Sequence, residues 1–303
     1  MRVVAINLYR TAVNSAPVRR LARRGKRFAP VRRVHRRLMA CARASEAEVD
    51  GHRMFLGDDS LGLSIYGIHE PFATHLVKQL VRRGDVAVDL GANVGYYTLQ
   101  LARLVGPEGS VYAFEPHPAN VALLEKNVKA NGYENVVAEA KAVADRTATA
   151  RLFVSARDMA THRIFAGGGR RFVEVEAMSL DDYFRTRATR VDFVKMDIQG
   201  AEVLALEGMV NLLQANERVA ILTEFSPYAL AQMGGSAEAF LGRLAALGFT
   251  LYVLDEGRQR LEPAVARALL ERHPLATKTH ADLLCVKGYA AGQLARLGAD
   301  GHG

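Results

Sequence analysis

Cysteine is nearly missing: the 303 residues hold two, Cys41 and Cys285, far apart in different kinds of sequence. That argues against a disulfide framework or a thiolate metal site, and it fits a reducing compartment. Long apolar runs are missing too. Half the residues are hydrophobic and mean hydropathy is near zero, yet nothing approaches the ~18 consecutive apolar residues of a membrane-spanning helix. The N-terminus has no apolar h-region and arginine recurs through it, which argues against a secretory signal peptide. Residues 1–45 lack acid altogether: they hold 13 Lys+Arg and no Asp or Glu. Removing those 13 from the chain's 40 basic residues leaves 27 against 32 acidic ones over 46–303, a net of −5. The net charge of +8 therefore belongs to an arm on a mildly acidic body.

What is present orders itself into four parts: a basic arm (1–45), a hairpin and helix expected to cover a site (46–84), an α/β domain (85–290) and a tail (291–303). In the arm, Val31, Val34 and Leu38 fall at helical spacing, so a basic amphipathic helix is expected near 31–43. A solvated arm is the plainest reading. Contact with an anionic membrane surface is a second, which would make a cytoplasmic protein peripheral to the membrane. Nucleic acid is disfavoured, because aromatics are not interleaved with the charges as a stacking surface needs.

Residues 52–68 read as a β-hairpin or meander. His52–Leu56 is one extended run, Gly57-Asp58-Asp59 is turn chemistry, and Leu61–Tyr66 resumes the extended pattern. Glu70-Pro71 opens a helix to about Arg83, stopped by Gly84. From Asp85 strands and helices alternate, the pattern of a mostly parallel sheet. Strands are expected at Val86–Leu90, Ser110–Phe114, Val136–Ala140, Val191–Met196, Val219–Glu224, Phe249–Leu254 and Leu283–Lys287, with extra strands at Thr149–Val154 and Phe172–Met178. Helices are expected at Tyr96–Val105, from Pro118 to about Asn131, and at Ala201–Leu213, Ala237–Leu247 and Val265–Arg272, the last followed by a loop. There is no internal repeat.

The chemistry gathers at Asp85–Pro116. A buried strand ends in Asp89-Leu90-Gly91-Ala92-Asn93-Val94-Gly95 and a helix follows. Gly91 permits a sharp turn and close approach of a ligand, and Gly95 permits close approach at the helix start. A dinucleotide fold would place Gly-x-Gly-x-x-Gly here, with pyrophosphate on the helix amides. This chain has Gly-x-Asn-x-Gly preceded by a carboxylate. Like charges repel, so Asp89 suits a pyrophosphate poorly; it suits a ligand with an ammonium group, such as S-adenosylmethionine. Glu115, 24 residues after Gly91, ends the second strand, where a carboxylate accepts from ribose hydroxyls. Candidate contacts to that nucleoside are Asp89, Gly91, Asn93, Gly95, Tyr97, Thr98, Glu115, Pro116 and Asp197.

Three segments, Asp89–Thr98 (DLGANVGYYT), Phe114–Pro118 (FEPHP) and Asp192–Glu202 (DFVKMDIQGAE), resemble the FkbM family of S-adenosylmethionine-dependent methyltransferases. The likeness continues in Leu180–Phe184 (LDDYF), Gly208-Met209 and Thr223–Pro227 (TEFSP), and covers about residues 52–255. It implies a class I methyltransferase fold: a Rossmann-like α/β sheet of seven mostly parallel strands, order 3-2-1-4-5-7-6 with one antiparallel strand, and helices on both faces. It also implies methyl transfer to oxygen, on a hydroxyl of a sugar or glycan, a polyketide or a related small metabolite.

Catalytic candidates sit beside that site. Strand alternation sends Lys195 and Asp197 to one side of the sheet, at the carboxyl end that borders the ligand crevice. Asp197 has three roles open to it: taking a proton from the acceptor, binding a metal, or holding the methionine amino group. Lys195 is suited to pairing with a carboxylate. Glu224 ends the neighbouring strand and is a candidate for the acceptor. His162, in a loop between the extra strands, is a candidate base. Family members often carry Asn-x-Gly just before that histidine; here the positions are Asp158-Met159-Ala160, which puts the loop's role in doubt. No metal-ligand spacing is present. The competing readings are a nucleic-acid methyltransferase recruited by the arm, a non-catalytic nucleoside-binding module, and a nicotinamide oxidoreductase. The Asp-Ile-Gln-Gly after the fourth strand argues against the first, and Asp89 against the last. The oligomeric state is not legible.

Overall fold

A computed structural model describes residues 45–57, 63, 67–153, 172–187 and 190–297. The basic arm with its expected helix, the loop carrying His162, and all of Leu61–Tyr66 except Leu63 lie outside the described residues; Leu63 is helical. The chain divides between His69 and Glu70 into two units.

In the first unit β1 (Glu46–Val49) pairs antiparallel with β2 (His52–Phe55). The extended run expected at His52–Leu56 is thus a strand, and it pairs with a preceding strand that the sequence pattern did not announce. The turn between them is Asp50-Gly51, both at positive φ (45° and 76°), which is what a two-residue turn matched to strand twist requires. Gly57-Asp58-Asp59 has equally good turn composition, but β2 already has its partner on the N-terminal side.

The second unit opens with α1 (Pro71–Leu80), proline at its first turn. The Glu256 carboxylate accepts from the main-chain N–H of Phe72 and Ala73, at 3.2 and 3.0 Å, so two otherwise unpaired donors of the first turn are satisfied by an acid placed favourably for the helix dipole. The helix stops at Leu80, with Val81 extended, rather than running to Gly84.

The central sheet follows from β3 (Val86–Leu90), β4 (Ser110–Phe114), β5 (Val136–Glu139), β9 (Phe193–Met196), β10 (Val219–Phe225), β11 (Thr250–Asp255), β12 (Arg260–Pro263) and β13 (Ala281–Lys287). Their order is β12-β11-β13-β10-β9-β3-β4-β5. The strands from β10 to β5 are parallel neighbours, and β13 runs antiparallel between β10 and β11. This is the expected 3-2-1-4-5-7-6 order with an eighth strand added at the edge. β12 occupies sequence expected to be loop. The turn before it is made by the Asp255 side chain, which accepts from Arg258 N–H at 2.9 Å, and by Gln259 at φ 52°.

A smaller sheet, β6 (Lys141–Val143), β8 (Phe172–Met178) and β7 (Ala148–Phe153), has the order β6-β8-β7. Two of its strands are the expected extra ones; β6 is the continuation of β5 after a break at Ala140.

Period-two alternation divides the central sheet into two faces. Val88, Leu90, Phe114, Val194, Met196, Ile221, Leu283 and Cys285 enter one buried core. It is completed by α4 (Leu180–Phe184), α6 (Val210–Ala215), α8 (Ala237–Ala246) and α9 (Ala266–Arg272). The other face meets α2 (Tyr96–Val105) and α3 (Pro118–Ala130); Leu124 of α3 packs with Ala92 and Ala113. The single helix expected over Ala201–Leu213 is two, α5 (Glu202–Glu207) and α6, broken at Gly208-Met209. A Cβ on Gly208 would collide with the Ala144 carbonyl oxygen, so the break lets a neighbouring backbone come close. A further short helix, α7 (Pro227–Gln232), is capped by Ser226, and α10 (Ala291–Leu297) closes the described chain. Among the described residues no helix is long and apolar enough to cross a membrane.

Candidate active site

The site is built where β3, β4 and β9 end side by side. Past Leu90 the chain turns through Gly91 (φ 78°), Asn93 (φ 51°) and Gly95 (φ 96°) into α2. A Cβ on Gly91 would collide with the Asp197 carbonyl oxygen, so glycine is needed for both conformation and space. Gly91 and Ala92 N–H both donate to the Phe114 carbonyl, at 2.9 and 3.0 Å, tying the turn to the end of β4.

Glu115 completes the turn. Its Oε2 accepts from Asn93 N–H at 2.9 Å, and its Oε1 accepts from His117 N–H at 2.9 Å and from Asn120 Nδ2 at 3.3 Å. The side chain is buried. Burial raises its pKa despite the three donors. A carboxylate has about four acceptor positions, so capacity remains for ribose hydroxyls. A cleft of about 560 Å³, including space open to solvent, lies against it, bounded also by Gly91, Asn93, Pro116, Lys141, Asp197 and Gln199.

Five of the sequence-predicted contacts therefore share this cleft: Gly91, Asn93, Glu115, Pro116 and Asp197. Gly95 packs on Leu124 at the helix start. Asp89 and Thr98 lie behind the cleft wall rather than on it. Thr98 Oγ1 donates to Asp89 Oδ2 at 2.6 Å, and Asp89 is 2% exposed. Burial pushes the Asp89 carboxyl up to about 6, opposed by Thr98 and by Lys195. Its place is that of an internal acid holding the base of the turn. Tyr97 donates its hydroxyl to Glu70 Oε2 at 2.8 Å and presents its ring to Lys195 Nζ at 5.1 Å from the centroid.

The Asp197 backbone N–H donates to the Leu90 carbonyl at 3.1 Å, and its Oδ1 accepts from Gln199 Nε2 at 2.9 Å. The turn beyond carries Gln199 at φ 56° and Gly200 at φ 108°. Glu202, 2% exposed, holds that turn: its Oε1 accepts from Ile198 N–H at 3.3 Å and Gly200 N–H at 3.2 Å. Lys195 and Glu224 lie on the same sheet face as Asp89, Lys195 one strand away and Glu224 two. Glu70, Asp282, Asn120, Lys141 and Gln199 were not legible as site residues. Asn120 alone left a signal, as a polar residue one turn into a helix that begins beside Glu115. Among the described residues no group of three His, Cys, Asp or Glu side chains is arranged to hold a metal ion.

A family model for the methyltransferase FkbM domain matches residues 89–251, the span that carries this turn, Glu115 and Asp197. The chain belongs to the FkbM methyltransferase family. Similar proteins beyond the FkbM model match in part. The protein-L-isoaspartate O-methyltransferase of Ignicoccus hospitalis is 41% identical over 69 residues, 21% of this chain and 33% of that protein. That of Methanothrix thermoacetophila is 33% identical over 69 residues, with the same shares. This FkbM chain spans about a third of the length of the relatives it matches. Among solved structures, an S-adenosylmethionine-dependent O-methyltransferase from Thermotoga maritima is 17% identical, with a TM-score of 0.40 over 73% of this chain and 64% of that one. Fibrillarin from Aeropyrum pernix, in complex with S-adenosylmethionine, is 14% identical, with a TM-score of 0.41 over 71% and 74%.

The cofactor of this FkbM domain is S-adenosylmethionine, and the donor set fits it. Glu115 retains acceptor capacity for a ribose, Gly91 leaves the space that a Cβ would fill, and Asp197 offers a carboxylate at the far wall.

Proposed function

We propose that this chain transfers a methyl group from S-adenosylmethionine to a hydroxyl of a sugar or glycan, a polyketide or a related small metabolite. The observation that carries the reading is Glu115. It is a buried carboxylate at the cleft that accepts from Asn93, His117 and Asn120 and keeps about one further acceptor position. Dinucleotide folds place a ribose-binding acid there too; what a pyrophosphate-binding turn would not carry is Asp89, directly ahead of the glycines.

When bound, the sulfonium supplies an already activated methyl group. The chain's own work is then to bind, orient and exclude water, and to receive one proton. Glu115 holds the ribose. The turns at Gly91–Gly95 and Asp197–Gly200 form two walls. Asp197 lines the same cleft, and its carboxylate suits the methionine amino group. Oxygen as the acceptor atom is supported by the carboxylates at this end of the sheet, which suit a hydroxyl proton. The Asp-Ile-Gln-Gly sequence at 197–200 also supports it, since base amino-methylation is associated with a different motif.

The test is calorimetric titration of the full chain with S-adenosylhomocysteine and with NADH, followed by a methyl-transfer assay using labelled S-adenosylmethionine across hydroxyl compounds. S-adenosylhomocysteine binding without NADH binding, and label moving to oxygen, is the expected result. Binding with label appearing only on nitrogen, or on RNA, would replace the O-directed reading.

A further inference from the structure

Strand register brings together charged groups that, Asp197 apart, do not line the cleft. Asp89 pairs with Lys195 across β3 and β9, and Lys195 with Leu222 across β9 and β10. Glu224 pairs directly with Asp282 across β10 and β13. Registered neighbours point to the same face and so do residues two apart. Asp89 and Lys195 therefore share one row with Leu222, and Glu224 and Asp282, level with Asp197, form the next row on the same face, the one that carries α2, at the end where β3, β9 and β10 finish. Glu70, at the head of α1, is close enough to act on both Lys195 and Asp282.

Lys195 is the unusual member. It is 4% exposed and, among the described residues, makes no hydrogen bond and no ion pair within 4 Å. Burial works against its charge, but Asp197, Glu70, Asp282 and Asp89 together outweigh that and raise its pKa. The ammonium has three donors, the Tyr97 ring beside it at 5.1 Å and, among the described residues, no oxygen acceptor within hydrogen-bond reach. A ligand hydroxyl oxygen at the row would provide one.

We infer that Glu224 and Asp282, facing each other beside Lys195, form the acceptor subsite, that it takes a hydroxyl compound carrying no negative charge, and that this pair receives the hydroxyl proton. The inference rests on the methyl-transfer reading above. In the step, a lone pair of the acceptor oxygen forms the new O–CH₃ bond. The C–S bond breaks with its electrons left on sulfur, and the O–H proton passes to a carboxylate of the pair. Lys195 donates to the same oxygen and holds it. Glu70, Asp197, Glu224 and Asp282 outnumber Lys195 and His280 around the subsite, so a carboxylate- or phosphate-bearing acceptor would meet like charge. Burial first, then Asp197, pushes Glu224 up to about 7, with His280 and Lys195 opposing. Burial first, then Glu70, pushes Asp282 up to about 6, again opposed by Lys195 and His280. The other titratable groups facing them are Asp89 from β3, Tyr97 from α2 and Glu202 from α5.

The test is carbon-13 NMR of the full chain labelled at Asp and Glu carboxyl carbons, titrated over pH 3–9 as wild type, Asp282→Asn and Glu224→Gln. Two linked steps reaching near neutrality are expected, with either substitution moving the surviving partner's step downward. Glucosamine is then added to the S-adenosylhomocysteine-loaded chain and should shift both signals, whereas glucuronate should not. Independent titrations near ordinary carboxyl values overturn the inference, as does a shift with glucuronate or none with glucosamine. Both variants should bind S-adenosylhomocysteine within about twofold of wild type. If the wild type fails to bind it, the methyl-transfer reading falls, while the carboxyl titrations still judge the pair separately.

Discussion

The main-chain N–H of Asn93 donates to Glu115 Oε2 at 2.9 Å, so one carboxylate both closes the glycine turn and lines the cleft. Glu115→Ala leaves the Asn93 and His117 N–H groups without their acceptor. The expected cost is about 1–3 kcal/mol of stability, and S-adenosylhomocysteine affinity should fall at least tenfold. Glu115→Gln keeps one oxygen and turns an NH₂ toward a donor, so it should fall between the two. Thermal unfolding and calorimetric titration read both quantities. Glu115→Ala binding as tightly as wild type would remove the residue from the site.

Burial raises the Asp89 carboxyl, and the Thr98 hydroxyl opposes it. The Asp89 carboxyl is raised to about 6, above its ordinary value of 3.8. A raised acid contributes stability that is fully present below the unfolded value and is lost as pH rises through the folded value. The loss across pH 4 to 6 is on the order of 3 kcal/mol. Thr98→Val removes the 2.6 Å hydrogen bond that favours the charged form, so the variant should lose more stability between pH 5 and pH 8 than wild type. Asp89→Asn should flatten that part of the pH dependence. Urea unfolding at the two pH values decides it; equal slopes for wild type and Thr98→Val would contradict the argument.

At Gly208 two effects compete. Alanine favours helix over glycine by about 1 kcal/mol, and Gly208 sits between two helices at an ordinary φ of −82°. The added Cβ, however, meets the Ala144 carbonyl oxygen, and overpacking against backbone costs about 1–3 kcal/mol. The clash should win, and Gly208→Ala should unfold at a lower temperature than wild type. A raised melting temperature would mean that the β6–β7 connection yields easily.

The parts of this molecule legible from sequence are those fixed within about thirty residues. The turn at Gly91–Gly95 shows itself because glycines mark positive φ, and Glu115 because the strand–helix–strand spacing places it. Strand order came through the family resemblance; residue pairing did not. Asp282 reaches Glu224 through an antiparallel pairing across 58 residues of chain, and no local pattern encodes it. Glu70 reads as the residue before a helix. Its role depends on the Tyr97 hydroxyl, and the placement of α1 depends on Glu256. β1 is not legible in sequence, because Asp50-Gly51 and Gly57-Asp58-Asp59 have the same turn chemistry and only the pairing partner distinguishes them.

Glu202 in the first turn of a helix looks ordinary in sequence, because an acid is favoured there. Buried, it accepts from Ile198 and Gly200 N–H and shapes the turn that puts Gln199 on the cleft. Burial pushes its carboxyl up to about 7 against the backbone N–H groups of Glu202 itself and of Gly200, with Asp197 and Glu224 adding to the rise. The sign follows as for Asp89: stability present below pH ~4.5 is lost as pH rises through ~7, by an amount on the order of 3 kcal/mol. Glu202→Gln keeps an accepting oxygen and removes the buried charge. It should match wild type at pH 4, exceed it at pH 8 and leave S-adenosylhomocysteine binding intact. Glu202→Ala removes the acceptor as well, so it should cost about 1–3 kcal/mol at pH 4 and weaken binding by loosening Gln199. If Glu202→Gln were instead the less stable protein at pH 8, the ionised carboxylate, not its oxygen, would be what holds the turn.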